Sequence, residues 1–155
     1  MNMHLYFRVP RYLAEWSIHE FGGQNPIELP KKTPETDILR MFLTRQPDDV
    51  PVDLGVGANL SVVIPTFKSP DPDWRRGYFY LPPKASYAFV ERLKTRFRIQ
   101  LWKELYVLDN QQREISNLVY AWMEKHGIAD DPTSWEAIRQ AYYRARKVMT
   151  KNCAE

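Results

Sequence analysis

The sequence predicts an α+β fold, in which a small antiparallel sheet and N-terminal helices precede a C-terminal region of three helices. Short segments rich in aromatic and β-branched residues occur in the first half, where they are typical of strands. Seven of the twelve prolines lie within residues 47–83, which excludes long helices there. Residues 84–108 contain no Gly or Pro, and their apolar side chains recur every three or four positions, as in an amphipathic helix.

Two short helices are predicted in the first half. Residues 10–21 carry apolar side chains at helical spacing, start at a proline and stop before two glycines. Residues 33–46 predict a second helix, because Thr33 is suited to cap its first turn and Pro47 ends it.

Three strands are predicted around these helices. Residues 4–9 and 59–64 have the composition and alternation of strands. Residues 78–81 are a suitable partner strand for residues 59–64. Together they are expected to form one small antiparallel sheet. The alternative is that the proline-rich middle forms irregular loops packed on the helices.

The second half is predicted to be helical. After the long helix, residues 115–126 form a helix that stops at Gly127, and Asp131 or Thr133 can cap the last one. The inner face of this last helix is expected to contain Trp135, Ile138, Tyr142, Ala145 and Met149. No internal repeat or linker is found. We therefore expect one domain, residues 1–155, with a mixed α/β part up to residue 83 and a helical subregion over residues 84–151.

The composition argues against an enzyme. Cys153 is the only cysteine, so neither a disulfide framework nor a cysteine-based zinc site is possible within one chain. The three histidines lie in separate elements without metal-ligand spacing, and no phosphate-binding glycine loop or nucleophile elbow is present. We expect no catalytic residue, no metal and no cofactor. A metal-dependent nuclease, using aspartates of the proline-rich loops, is a third alternative, although turn formation explains those aspartates as well.

No signal sequence and no apolar segment long enough for a membrane span is found, which predicts a cytoplasmic protein without a membrane partner. The net charge is +3, and its distribution is uneven: residues 1–83 hold nine Lys/Arg against ten Asp/Glu, and residues 84–155 hold thirteen against nine. The excess cations cluster on two predicted helices: Arg92, Lys94, Arg96, Arg98 and Lys103, and then Arg139, Arg144, Arg146, Lys147 and Lys151.

The last two helices have features of a helix-turn-helix motif over about residues 113–151. Gly127 allows the chain to reverse and Ile128 can seal the turn, while Trp135 and Ile138 anchor the second helix. The turn is longer than in the compact motif, and a homeodomain-like or Myb-like trihelical arrangement tolerates this better. Residues expected to face a DNA groove are Arg139, Gln140, Tyr143 and Arg146, and those expected to contact phosphates are Arg144, Lys147, Lys94, Arg96 and Arg98.

A predicted loop offers a second contact surface, with aromatic and basic residues side by side. There Trp74, Arg75 and Arg76 stand together, a combination suited to stacking on unpaired bases and equally suited to a protein interface.

Two functions remain open from these residues. The first is a non-enzymatic protein that binds nucleic acid, most simply duplex DNA. The alternative is a protein-interaction or structural module with exposed Trp and Tyr as anchors, which would allow a homodimer. DNA binding requires that the cationic side of the last helix stays exposed and unpaired. Arginines paired with carboxylates would favour the interaction module.

Four segments carry a resemblance to a known family: "VPRYLAEW", "YLPPKASYAFVERLKTRFRIQLW", "YAWMEKHGI" and "WEAIRQAYYRARK". They resemble an uncharacterised family of small proteins from bacterial mobile elements and prophages, over most of the chain. The resemblance carries no activity, ligand or catalytic residue. It implies a bacterial setting in which DNA-binding accessory proteins are frequent, and hence a regulator or accessory factor of a mobile element.

Overall fold

The computed structural model describes residues 4–65, 79–109 and 115–153, and it confirms the α+β fold class. The elements are, in chain order, β1 His4–Phe7, α1 Arg11–Glu20, α2 Pro34–Phe42, β2 Thr44–Arg45, β3 Leu60–Val63, β4 Phe79–Tyr80, α3 Pro83–Asp109, α4 Ile115–Lys125 and α5 Pro132–Cys153. The chain divides into two compact units: Met1–Val9 with Ser17–Leu93 (the first unit) and Pro10–Trp16 with Lys94–Glu155 (the second unit). Helices α1 and α3 contribute residues to both.

The strands of the first unit form two antiparallel pairs rather than one sheet. Strands β1 and β3 occur where the sequence predicted strands, and they pair with each other, with Phe7 opposite Leu60. Strand β4, however, pairs with β2, so that Tyr80 lies opposite Thr44. The expectation of a single three-stranded sheet was therefore wrong. Strand β2 lies in the segment predicted to be the end of the second helix, and two residues are too short for a strand periodicity to be recognised.

The core of the first unit lies beneath strand β1 and the beginning of α3. The rings of Phe7 and Phe89 stack with their centroids 4.8 Å apart. Ile27, Leu39 and Val62, which belong to the same unit, are fully buried. Helix α2 ends at Phe42 because the next residue, the C-cap, adopts an extended conformation.

Thr33 caps helix α2, as predicted from the sequence. Its Oγ1 accepts a hydrogen bond from the backbone N–H of Thr36 at 3.1 Å. Thr33→Ala is expected to lower the free energy of unfolding by about 0.5–2 kcal/mol, because that N–H loses its partner. Thr33→Ser keeps the acceptor and serves as the control. Urea unfolding of both variants checks the prediction, and equal destabilisation by both substitutions would contradict it.

Helices α4 and α5 form a hairpin whose turn matches the sequence interpretation. Gly127 has φ +71°, and the adjacent Ile128 is buried and donates its backbone N–H to the carbonyl of Met123 at 2.9 Å. Of the two predicted caps, Asp131 is the one used, since its Oδ2 accepts from the backbone N–H of Ser134 at 3.1 Å. The turn therefore has a fixed local geometry that sets where α5 begins.

The inner face of α5 agrees with the prediction in part. Ile138 and Tyr142 are fully buried, whereas Trp135 and Ala145 are half-buried, and the side chain of Met149 lies outside the described residues. Within the described ranges, no helix is long and apolar enough to cross a membrane.

Candidate interaction surface

The predicted contact residues of the last helix all lie on α5, and their exposure differs. Gln140, Tyr143, Arg144, Arg146 and Lys147 are exposed, whereas Arg139 is half-buried. On α3, Arg98 is exposed, while Lys94 and Arg96 are half-buried and engaged in contacts. Trp74, Arg75 and Arg76 lie outside the described residues.

A stack of four side chains runs across the hairpin, and we call it the aromatic–arginine ladder: Tyr120, Trp135, Arg139 and Tyr143. The ring of Tyr120 on α4 stacks on Trp135 at 5.3 Å with an interplanar angle of 13°. The guanidinium carbon of Arg139 lies 5.6 Å from the centroid of Trp135 and 5.1 Å from that of Tyr143. The three α5 members are four residues apart, which places them on one stripe of the helix.

The ladder is held by hydrogen bonds at its sides. Glu136 Oε1 accepts from Arg139 Nη1 at 3.3 Å and from Gln140 Nε2 at 3.1 Å. The indole N–H of Trp135 donates to the carbonyl of Ser116 at 3.3 Å. Two residues assigned to base recognition are thus already bound to a carboxylate. Arg139 also has an aromatic ring on each side, so a bidentate contact with guanine would require it to leave the ladder.

Arg146 is tied to a carboxylate from another helix. Its Nη1 lies 3.5 Å from Asp109 Oδ2 at the end of α3, and the hydroxyl of Tyr142 donates to the same oxygen at 2.7 Å. Burial, and then the hydrogen bond to Asp109, raises the pKa of Tyr142 well above its usual range. A carboxylate at the C-terminus of a helix is unfavourable, because the helix dipole is negative there. The positive charge of Arg146 offsets this at Asp109, so Arg146 has a structural role.

Arg144 and Lys147 are different, because neither forms an ion pair with any residue that the structure describes. The acids of the second unit are largely used internally. Five of them accept hydrogen bonds from other groups of that unit: Glu15, Glu104, Asp109, Asp131 and Glu136. The exposed part of α5 is therefore cationic beside the ladder.

Sequence reasoning named Tyr143 as a contact residue, but it missed Tyr120, the stacking of Trp135 and the carboxylates that bind Arg139 and Arg146. Glu136 precedes Arg139 by three residues and Gln140 by four, a spacing that is sufficient to predict their contacts. Tyr120 and Asp109 belong to other helices, and no signal in the linear sequence connects them to Trp135 and Arg146.

Comparison of the chain with protein-family models, with curated proteins and with solved structures finds no match.

Proposed function

We propose that the protein is a non-enzymatic protein-interaction module, whose α4–α5 hairpin presents the aromatic–arginine ladder to an acidic segment of a partner protein. The observation that carries this proposal is the ladder itself. Its two ends, Tyr120 and Tyr143, are 40% and 38% exposed, while its middle is fixed by stacking and hydrogen bonds. Tyr, Trp and Arg are the residue types that dominate binding energies at protein interfaces. A rigid arrangement also loses little conformational entropy on binding.

The way the ladder is assembled favours a protein partner over nucleic acid. Tyr120 and Trp135 cover each other's faces, so the shared faces are closed to an unpaired base. Arg139 donates one N–H, from Nη1, to Glu136, and its guanidinium lies against two rings. Tyr120 and Tyr143 stay partly exposed, and a tyrosine side chain can contact both apolar and polar protein groups.

The charge beside the ladder indicates an acidic partner. Arg144 follows Tyr143 directly, and Lys147 lies one helical turn further along the exposed side. Two copies of such a surface would repel each other, whereas carboxylates of a partner would be attracted. A complex with a different, acidic protein is therefore favoured over a homodimer through this face.

Duplex DNA binding, as by a regulator or accessory factor of a mobile element, is the second candidate. The exposed Arg144 and Lys147 favour it, because exposed cations on the second helix of a hairpin are suited to phosphate contacts. Lys94, Arg96 and Arg98 on α3 would add to these contacts. Under this candidate, Arg139 must leave Glu136, and Arg146 must leave Asp109, before either can contact a base.

One pair of substitutions separates the two candidates. For the interaction module, Tyr143→Ala is expected to weaken binding of a labelled peptide of repeated Glu-Leu-Leu-Glu units by about tenfold or more. Lys147→Ala should weaken it by about threefold or less, because a charge at the rim contributes little to affinity. Fluorescence polarisation at two salt concentrations measures both effects.

The control is Tyr87→Ala, which removes another exposed tyrosine, 69% accessible, from the first unit. If Tyr143→Ala and Tyr87→Ala bind the peptide equally well, the ladder is not the docking surface. DNA binding predicts a different pattern on random duplex DNA: Lys147→Ala weakens binding and lowers the salt slope by about one, while Tyr143→Ala, which removes no charge, leaves the salt slope unchanged. Sedimentation velocity completes the test, because a wild-type dimer that Tyr143→Ala dissociates would make a second copy the partner.

A further inference from the structure

The first unit contains a partly open cavity of about 260 Å³. Its walls come from strand β1, the loop after β2, the β4 segment and the beginning of α3. The lining includes the consecutive residues 4–8 and 79–81, together with Gln46, Pro51, Val52, Asp53, Pro83 and Ser86. Successive side chains of a strand point to opposite faces, so a cavity over one face would be lined by alternate residues only. Five consecutive lining residues place the cavity along the edge of β1.

Strand β3 shows which edge of β1 this is. On its far side, β3 is bridged to Ile27: the N–H of Ile27 donates to the carbonyl of Ser61 at 2.8 Å, and Val63 donates to the carbonyl of Ile27 at 2.9 Å. The backbone groups of Ser61 and Val63 therefore point away from β1. Because backbone groups alternate along a strand, those of Leu60 and Val62 point toward β1.

The register then fixes the direction of every backbone group in β1. Leu5 and Phe7 lie opposite Val62 and Leu60, so their N–H and C=O groups form the ladder with β3. The backbone groups of Tyr6 and Arg8 consequently point to the other edge, where the cavity lies. Among the residues that the structure describes, neither backbone is hydrogen-bonded to another segment.

This side of the cavity is pre-formed. Arg8 holds the loop wall through a bidentate pair with Asp53, at 2.8 and 2.9 Å. Gly55 lies against the ring of Tyr6 so closely that an added Cβ would come within 2.8 Å of it, and its φ of +83° also favours glycine. The edge of β1 is therefore held in place before any partner binds.

We propose that this cavity receives an extended peptide segment of a partner protein, which adds as a strand to the outer edge of β1. The edge offers backbone donors and acceptors in the spacing of a strand, and the chemical complement of that pattern is another extended backbone. Aromatic lining residues, among them Phe79 and Tyr80, supply apolar surface for its side chains. The proposal concerns the first unit and does not depend on the function proposed for the α4–α5 hairpin.

Amide hydrogen exchange on the isotope-labelled full chain tests the proposal directly. In the free protein, the amides of Tyr6 and Arg8 are expected to exchange rapidly, and those of Leu5 and Phe7 slowly. A capped peptide of alternating Val and Thr between terminal Lys residues is then added to saturation. Exchange at Tyr6 and Arg8 should slow by about tenfold or more, because paired amides exchange only on opening. The same peptide with alternate nitrogens methylated should have no effect.

Proline substitutions provide the matched variants. Tyr6→Pro removes a donor from the outer edge only and is expected to keep the fold but lose the peptide. Phe7→Pro removes a donor from the β1–β3 ladder and should destabilise the first unit, while Tyr6→Phe should retain both fold and binding. If Tyr6→Pro does not fold, the amide hydrogen exchange of the wild-type chain, with and without the peptide, is sufficient to test the proposal.

Several results would overturn the proposal. One is slow exchange at Tyr6 in the free protein, which would mean that the edge is already paired. Another is equal binding of the methylated peptide, which would indicate a pocket for a side chain or small molecule rather than a strand. The absence of any peptide-induced change at millimolar peptide also overturns it, because main-chain pairing tolerates many sequences.

Discussion

Phe97→Ala is expected to lower the free energy of unfolding by about 3–5 kcal/mol, the largest effect of any substitution considered for this protein. Phe97 is 1% exposed and lies at the centre of the aromatic core of the second unit. Its ring centroid is 5.2 Å from that of Tyr12, 5.5 Å from that of Trp16 and 5.4 Å from that of Trp122. Alanine removes the contacts with all three rings and leaves a cavity that these rigid side chains cannot fill.

Ile99→Ala is the matched control for this prediction. Ile99 lies on the same helix and is 50% exposed, so its truncation should change stability by no more than about 0.5 kcal/mol. Urea unfolding followed by circular dichroism measures both variants. Similar losses from the two substitutions would mean that the ring cluster around Phe97 does not hold the second unit together.

Acidification is expected to destabilise the second unit through Glu104. This carboxylate, 29% exposed, accepts hydrogen bonds from Trp122 Nε1 at 2.6 Å and from Lys125 Nζ at 3.3 Å, and it lies 2.8 Å from Nε2 of the buried His126. Burial raises the pKa of Glu104, but the contacts with His126, Trp122 and Lys125 together outweigh it, so the pKa is lowered overall. The folded protein therefore holds this group ionised more strongly than the unfolded chain does.

The direction of the pH effect follows from this lowered pKa. Its stabilising contribution is fully present above the pKa of glutamate in the unfolded chain, which is about 4.3. It is lost as the pH falls through the lower pKa of the folded state, because both states are then protonated. The stability is thus lost below about pH 4.3.

Glu104→Gln tests this link. At neutral pH it should lower the free energy of unfolding by about 1–3 kcal/mol, since charge-assisted hydrogen bonds are replaced by weaker ones. As the pH falls below about 4.3, the difference in the free energy of unfolding between the variant and the wild type should shrink. Glu124→Gln, on the exposed side of α4, is the control and should leave the pH profile unchanged. Thermal unfolding between pH 3 and 7 gives the comparison, and a constant deficit across that range would rule out Glu104 as the titrating group.

Within single elements, the sequence was a good guide to the structure. The cap at Thr33, the long uninterrupted helix that becomes Pro83–Asp109, and the glycine turn before α5 all follow from residues within a few positions of each other. Such signals are local because helix capping and periodicity depend on neighbouring residues along the chain. The excess of basic residues in the second half of the chain is likewise a property of the sequence.

The sequence was a poorer guide wherever one element meets another. Strand β2 exists because Thr44 and Arg45 pair with β4, and a two-residue segment carries no periodicity of its own. The candidate surface also differs from the prediction: Trp135, which the sequence placed on the inner face of α5, is half-buried and stacks on Tyr120 of α4.

Taken alone, the sequence determined the fold class, the helix caps and the faces of the helices that are buried, because each depends on local conformational preference and apolar spacing. Tertiary structure decided which partners α5 finds on other helices. Arg146 meets Asp109, and Trp135 meets Tyr120, only because packing brings α3 and α4 against α5. Whether an arginine is available to a partner depends on which carboxylates and rings the fold places beside it, and residues far apart in the chain supply them.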